Sequence, residues 1–134
     1  MKKLLLITAF LLLSSASQAQ VYKFITSSFS VSERTGNKTW SKWSKPQDAE
    51  IVVSVDPKKN RIIIYSQEIQ LYQIMNYQPT VENENSITNG FVCADEDGQR
   101  FTISIITRKD QGNRKQLYLN QKDVKIVYNM RNYK

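Results

Sequence analysis

The chain has 134 residues, with 19 Lys and Arg against 12 Asp and Glu, no His and one Cys, at position 93. This length supports one domain with its own hydrophobic core and is short for two. The missing histidines and the single thiol exclude His-based catalytic triads, histidine metal sites, cysteine-ligated zinc and a disulfide within the chain. The composition therefore predicts no cofactor and points to no particular enzyme class.

The first nineteen residues have the pattern of a secretion signal. Lys2 and Lys3 form a positive start, residues 4–13 are apolar, and small residues up to Ala19 make a cleavage site before Gln20. An apolar run of this length is about half of what a helix needs to cross a bilayer, so we expect cleavage rather than anchoring.

Cleavage there divides the chain into a signal peptide, 1–19, and a single β domain, 20–134. Removing Lys2 and Lys3 from the 19 basic residues leaves 17 against 12 acidic ones, a net charge of +5. A lipid anchor would need a Cys directly after the signal, and the one Cys lies at position 93. We therefore predict an exported mature chain without a membrane span, located in the periplasm or outside the cell.

Alternation of apolar and polar residues predicts β-strands along most of the mature chain. Residues 100–105 alternate most clearly, and residues 61–65 are apolar on both faces, as in a central strand. Residues 68–77 fit both helical and strand spacing and are assigned to a strand because Tyr and Ile favour it. Residues 78–85 are assigned to a loop, and Asn89-Gly90 fits either a hairpin turn or a bulge.

Turn residues separate these strands at 56–60, 95–98 and 109–113, which predicts successive hairpins. We expect an all-β antiparallel meander of about seven to nine strands, a small barrel of the calycin or lipocalin type rather than a two-sheet sandwich. The predicted inward-facing residues are Ile51, Val53, Val55, Ile62, Ile64, Leu71, Phe101, Ile103, Ile105, Val124, Ile126 and Tyr128.

Both tryptophans lie among cations in the segment Trp40-Ser41-Lys42-Trp43-Ser44-Lys45. Aromatic rings beside Lys side chains suit stacking on sugars or bases next to anionic groups, so Trp40, Lys42, Trp43 and Lys45 are candidate ligand-binding residues. The structural alternative is that the indoles plug the end of the barrel. On a strand, positions 40 and 43 would face opposite sides and could not share one site.

The acidic run Asp95-Glu96-Asp97-Gly98 makes Asp95 and Asp97 weak calcium candidates. With Gly98 in the glycine position of an EF-hand loop, Cys93 and Ser104 fall where carboxylates belong. A solvated hairpin turn is therefore the preferred interpretation.

Cys93 lies in an apolar stretch, Phe91 to Ala94, without a basic neighbour that would lower its pKa. A buried small residue is therefore expected rather than a reactive thiol.

Basic residues cluster in or beside predicted turns, as Lys58-Lys59, Arg108-Lys109 and Arg114-Lys115. Alternate turns of a meander lie at the same end, so these pairs are expected to form a basic rim. The rim would face an anionic envelope surface or serve solubility. No nucleic-acid motif is present, and nucleic acid is not an expected partner.

Three segments resemble small exported all-β proteins of Gram-negative bacteria. They are Asn60 to Ser66, Cys93 to Gly98 and Val124 to Asn129, which match a pattern written NRI-x-IYS, C-x-DEDG and VYN. The resemblance implies export and β structure. That group has no assigned activity, so it implies no catalytic residue.

The leading hypothesis is an exported, non-enzymatic binding module of the cell envelope, with a small-ligand pocket or a protein-binding surface. A second hypothesis is a structural subunit that pairs through an edge strand with another envelope protein. A third is a hydrolase that uses carboxylates among Asp95, Asp97, Glu82 and Glu84.

Overall fold

The computed structural model describes residues 20–133. The predicted signal segment, up to Ala19, lies outside the described residues. In the described part, no helix is long and apolar enough to cross a membrane. A short 3-10 turn, Lys109–Gln111, separates two of the strands. The strands are β1 (Tyr22–Glu33), β2 (Gln47–Asp48), β3 (Val52–Asp56), β4 (Arg61–Tyr65), β5 (Ile69–Tyr77), β6 (Val81–Glu82), β7 (Ser86–Ala94), β8 (Arg100–Arg108), β9 (Arg114–Asn120) and β10 (Val124–Asn132).

Eight of the strands form a closed antiparallel barrel in the order β1-β3-β4-β5-β7-β8-β9-β10. The barrel closes because β10 also pairs with β1, from Phe24 opposite Asn132 to Glu33 opposite Val124. The short strands β2 and β6 pair outside this ring, with β1 and β7. The prediction of a small antiparallel barrel is confirmed, and its closure distinguishes it from a sandwich.

The core fills the barrel with side chains from alternate positions of every barrel strand. It comprises Phe24, Val53, Val55, Ile62, Ile64, Tyr72, Ile74, Phe91, Cys93, Ile103, Ile105, Leu117, Leu119, Tyr128 and Met130. Ile51, Phe101 and Ile126 are half-buried and pack against this core. Most of the predicted inward positions are therefore confirmed.

The prediction that Leu71 faces inward is wrong. In β5 the inward position is Tyr72, which lies opposite the buried Ile62, whereas Leu71 lies opposite Ile63 on the outer face. Ile63 is itself buried on that outer face, so this region is apolar on both faces. The sequence pattern therefore does not show which face of β5 points inward. Val124, at the start of β10, is half-buried and also lies outside the core cluster.

The hairpin turns alternate between the two ends of the barrel. We call the end with residues 57–60, 78–85 and 109–113 the open end, and the end with residues 66–68, 95–99 and 121–123 the filled end. Residues 78–85, predicted as a loop, include the short strand β6. The three predicted basic pairs all lie at the open end, as expected of alternate turns.

Strand β1 has two different partners along one of its edges. Its first residues, Tyr22 to Ile25, pair with β3, and beyond Thr26 the same edge pairs with residues 40–49, here called the outer arm. At the junction the Thr26 hydroxyl accepts a hydrogen bond from the Ile51 N–H at 2.9 Å. The register with β10 also shifts between Thr26 and Ser28, which bends the strand.

Candidate functional site

The open end of the barrel contains a cavity of about 580 Å³. Its volume lies within the range of small-molecule sites, roughly 300–1,000 Å³. The cavity enters the barrel between β1, β7, β8 and β9 and is bordered by the 57–60 turn and the 78–85 loop. Its lining comprises Tyr22, Phe24, Val55, Pro57, Tyr77, Gln78, Thr80, Asn89, Gly90, Phe91, Ile105, Thr107, Lys115 and Asn132.

Aromatic rings form the walls of this cavity. Tyr77 meets Phe91 edge to face, with ring centroids 5.7 Å apart, a favourable geometry for aromatic pairs. The Tyr77 hydroxyl donates a hydrogen bond to Asn60 Oδ1 at 2.8 Å, which holds the ring in place across the mouth. Burial, with smaller contributions from Cys93 and Asp56, raises the pKa of Tyr77.

One cation, Lys115, projects into the cavity. Its ammonium group donates a hydrogen bond to Thr107 Oγ1 at 2.9 Å, and both residues lie on inward positions of adjacent strands. No lining residue of the cavity is acidic. Over residues 20–133, the ion pair within 4.0 Å is Lys109 to Glu82, at 3.5 Å, so Lys115 has no carboxylate partner there.

Gly90 allows residues 78–80 to fold against the cavity wall. A Cβ at Gly90 would clash with Gln78 Oε1, so a larger residue would displace that amide. The Gln78 N–H also donates to the Gly90 carbonyl at 2.9 Å, and the Thr80 hydroxyl donates to Asn89 Oδ1 at 3.0 Å. Asn89-Gly90 thus forms neither a turn nor a bulge, and both predictions for it are wrong. It continues β7 in register with β8.

The filled end holds packed side chains where the open end holds the cavity. Tyr72 packs edge to face on Phe101 with centroids 5.1 Å apart, and its hydroxyl donates to Gln70 Oε1 at 2.6 Å. Burial, followed by the charges of Tyr128, Asp95 and Cys93, raises the pKa of Tyr72 to about 12. A depression of about 610 Å³ beside this end is lined mainly by polar residues: Gln99, Arg100, Phe101, Gln121, Lys122, Asp123 and Val124.

The outer arm is fastened to β1 at every third residue rather than every second. The Ser41 and Ser44 N–H groups donate to the Glu33 and Val31 carbonyls at 2.8 and 2.9 Å. Their hydroxyls accept hydrogen bonds from the N–H groups of the same two β1 residues, both at 2.9 Å. The repeat Trp-Ser-Lys therefore places its serines against β1 and leaves Lys42 and Lys45 exposed.

Trp40 and Trp43 lie together on the outside of the barrel, across β1. The Lys125 ammonium of β10 lies 4.2 Å from the Trp40 ring centroid, and Trp43 meets Tyr118 of β9 edge to face at 6.2 Å. The idea that an indole plugs the barrel end is wrong, and so is the expectation that positions 40 and 43 face apart, because the arm has a three-residue spacing. Ligand binding by these residues remains a prediction.

The indoles have a visible structural role. Ser30 and Ser32 on the outer face of β1 are only 6% and 3% exposed, although they face away from the core. The indoles reach β9 and β10 from the far side of β1 and so cross these small serines. The rings themselves stay 37% and 45% exposed for Trp40 and Trp43.

The acidic run forms a self-contained turn. The Asp95 carboxylate accepts hydrogen bonds from the N–H groups of Asp97 and Gln99, both at 2.9 Å, and Gly98 has the left-handed φ of 80° that this turn requires. In residues 20–133 no group of three or more Asp, Glu and Cys side chains is placed to hold a metal ion.

The structure separates the two pairs of carboxylates and buries the thiol. Asp95 and Asp97 lie at the filled end, whereas Glu82 and Glu84 lie at the open end, where Glu82 pairs with Lys109. Burial raises the pKa of Cys93 to about 12, in agreement with the prediction of a core residue.

No protein-family model, curated protein or solved structure matches this chain. The resemblance to exported Gram-negative β proteins therefore stays a prediction. Sequence reasoning predicted Val55 and Ile105 to face inward but missed the polar and aromatic residues that line the cavity, Lys115 above all. Its only sequence signal is alternation within β9, where Lys115 has the same parity as Leu117 and Leu119.

Proposed function

We propose that this chain is an exported, non-enzymatic binding module of the cell envelope that takes a small ligand into the open end of its barrel. The observation that carries the proposal is the cavity of about 580 Å³, with aromatic walls and a few polar groups. That combination, an apolar concave site with sparse polar groups, is typical of small-molecule pockets. The signal-like first nineteen residues support export.

The two alternatives receive less support. Barrel closure uses both edges of β1 and β10 for pairing, and β2 and β6, the short strands outside the ring, are two residues each. Such short edges provide few hydrogen bonds for an added strand. A hydrolase would need its carboxylates near one substrate, and the two acidic pairs lie at opposite ends of the barrel.

A neutral fluorescent probe tests the pocket directly. We expect phenylnaphthylamine to bind the purified mature chain with enhanced emission, because the cavity offers an aromatic environment shielded from water. Asn132→Trp places an indole at the mouth, and we expect it to weaken binding about tenfold, or about 1.4 kcal/mol.

Arg131→Trp is the matched control, since Arg131 lies opposite Ile25 on the outer face one residue away. It should leave probe affinity unchanged. A chain that does not bind the probe, or two variants with equal affinity, would contradict the proposal of a ligand site in the barrel mouth.

Export is tested separately by the mass of the protein recovered from a bacterial envelope fraction. We expect a chain that begins at Gln20. A full-length chain confined to the cytoplasm would contradict export and would leave the pocket proposal to be judged by the probe alone.

A further inference from the structure

We infer that the ligand is a single-chain or single-ring amphiphile with one anionic oxygen group, which binds Lys115 while the apolar body enters the barrel. This inference rests on the proposed function and names the ligand class for the same cavity. Three features of the cavity carry it: a gradient of polarity along its depth, a cation without an acidic partner, and the hydrogen-bonding capacity left at that cation.

Polarity decreases from the rim of the cavity inward. Lys115 is the second residue of β9 and lies opposite Thr107, the second-last residue of β8, so both are at the rim. One inward position deeper along the same strands are Leu117 and Ile105, both buried. A ligand that matches this gradient has a polar head at the mouth and an apolar body below it.

The apolar part of the cavity is bounded on several sides. Phe24, Phe91 and Ile105 line it and are buried, and the side chains beneath them, Ile103 among them, are fully packed. The space therefore ends within the barrel, so it fits one short apolar chain or ring. Burial of such a chain is favourable by about 0.8 kcal/mol per methylene.

The cation at the rim has unused donors. An ammonium has three N–H donors, and Lys115 uses one of them in its hydrogen bond to Thr107. Because Thr107 accepts in that bond, its own O–H proton remains free to donate to the same ligand group. An anionic oxygen at this point would receive hydrogen bonds from both residues.

A ligand covering the rim also removes water from the half-buried Lys115. A neutral or cationic head would leave that ammonium desolvated without a counter-charge, which is unfavourable. An anionic head compensates the charge, and no acidic lining residue repels it. Lysine acts as a point charge rather than a bidentate fork, so a carboxylate and a phosphate monoester satisfy it equally.

The test is displacement of bound phenylnaphthylamine by four compounds with a straight chain of ten carbons: decanoate, decyl phosphate, decanol and decyltrimethylammonium. We expect the two anions to bind about tenfold more tightly than decanol, and the cation to bind most weakly. Tighter binding of either decanoate or decyl phosphate identifies which anion the site prefers, and both outcomes support the inference.

Lys115→Met removes the charge and keeps an unbranched side chain that is only one heavy atom shorter. We expect this variant to lose the preference for anions while it still binds decanol and the neutral probe. Lys115→Gln provides a second variant with a polar end, and Lys109→Met is the matched control, because Lys109 pairs with Glu82 outside the cavity. The control should keep the full preference.

Equal affinity of the original chain for decanol and decanoate, with no change in Lys115→Met, would overturn the inference and leave the pocket in place. Failure of the original chain to bind the neutral probe or any of the four compounds would overturn both the inference and the proposed function.

Discussion

The two ends of the barrel are built from the same meander and differ in what their inward positions carry. At the filled end, Tyr72, Phe101 and Gln70 close the interior by ring packing and a hydrogen bond. At the open end, the corresponding inward positions of β8 and β9 are Thr107 and Lys115, which cannot pack as a core. The backbone is continuous across both ends, so the side chains at a few strand termini decide where the barrel stays open.

The largest expected effect on stability comes from shortening one side chain to Ala at each end of the barrel. Leu119→Ala, at a position 1% exposed near the filled end, should lower the free energy of unfolding by about 2–5 kcal/mol, because it leaves a cavity in a packed core. Tyr22→Ala at the rim of the open end, 47% exposed, should cost less than about 1 kcal/mol. Urea unfolding measures both, and equal losses would show that the two ends are packed alike.

A second test uses pH, because two buried groups away from the open end, the Cys93 thiol and the Tyr72 phenol, have strongly raised pKa values. Burial raises the pKa of the Cys93 thiol from 9.0 to about 12, and burial first, then nearby charges, raises the pKa of Tyr72 from 10.0 to about 12. Both groups hold their protons more tightly in the folded chain than in the unfolded chain. The contribution of these two groups to the free energy of unfolding is therefore fully present below about pH 9. It falls as the pH rises towards 12, by up to about 1.4 kcal/mol per pH unit for each group.

Cys93→Ala should reduce this alkaline loss of stability, since the thiol then no longer contributes and the Tyr72 phenol still does. Urea unfolding of both chains at a series of pH values above 8 gives the slopes. A free energy of unfolding that does not change up to pH 11 would contradict the burial of these groups.

A third test concerns the outer arm, which covers the outside of β1 towards the filled end. Trp43→Ala should lower the free energy of unfolding by about 1–2 kcal/mol, because the indole packs edge to face on Tyr118 and is about half-buried there. Lys42→Ala, the exposed neighbour, should stay within about 0.5 kcal/mol of the original chain. If thermal unfolding finds Trp43→Ala equally neutral, the arm has no stabilising role and ligand binding by the indoles gains weight.

The smallest expected effect comes from substituting one acidic residue in a turn at each end of the barrel. Asp95→Ala should cost about 1 kcal/mol, since the carboxylate accepts two backbone hydrogen bonds. Asp110→Ala, an exposed acid in a turn at the open end, is the control and should be near neutral. Added Ca²⁺ should not shift the melting temperature of the original chain, and a clear upward shift would revive the calcium hypothesis for Asp95 and Asp97.

Much of the barrel was predictable because its signals are local. Alternation over residues 100–105 is read directly as a strand with one inward face, and the structure places Ile103 and Ile105 in the core. The turn residues were equally informative, since Asn60 and Gly98 lie in the predicted turns and adopt the left-handed conformations that Asn and Gly tolerate best. Cys93 was predictable for the same reason, as a small residue within an apolar strand.

Predictions from the sequence were wrong where the local pattern is compatible with two different structures. Leu71 and Tyr72 are both apolar enough to face inward, and only the pairing of β5 with β4 decides between them. The prediction for the outer arm was wrong for a different reason. Its three-residue spacing exists only because Ser41 and Ser44 bond to β1, a partner that is separated from it in sequence.

The sequence by itself determined an all-β chain, the positions of its turns and the absence of histidine and disulfide chemistry, because these depend on residue type and short-range spacing. Tertiary structure decided that the barrel closes through β1 and β10. It also decided that the side chains of Arg114 and Lys115 lie on opposite faces of the barrel wall. Arg114 donates to Asn129 on the outside at 2.7 Å, and Lys115 turns into the cavity. Neighbours on a strand face opposite sides, so a pair of adjacent cations becomes one surface charge and one candidate ligand contact only when the barrel defines an inside.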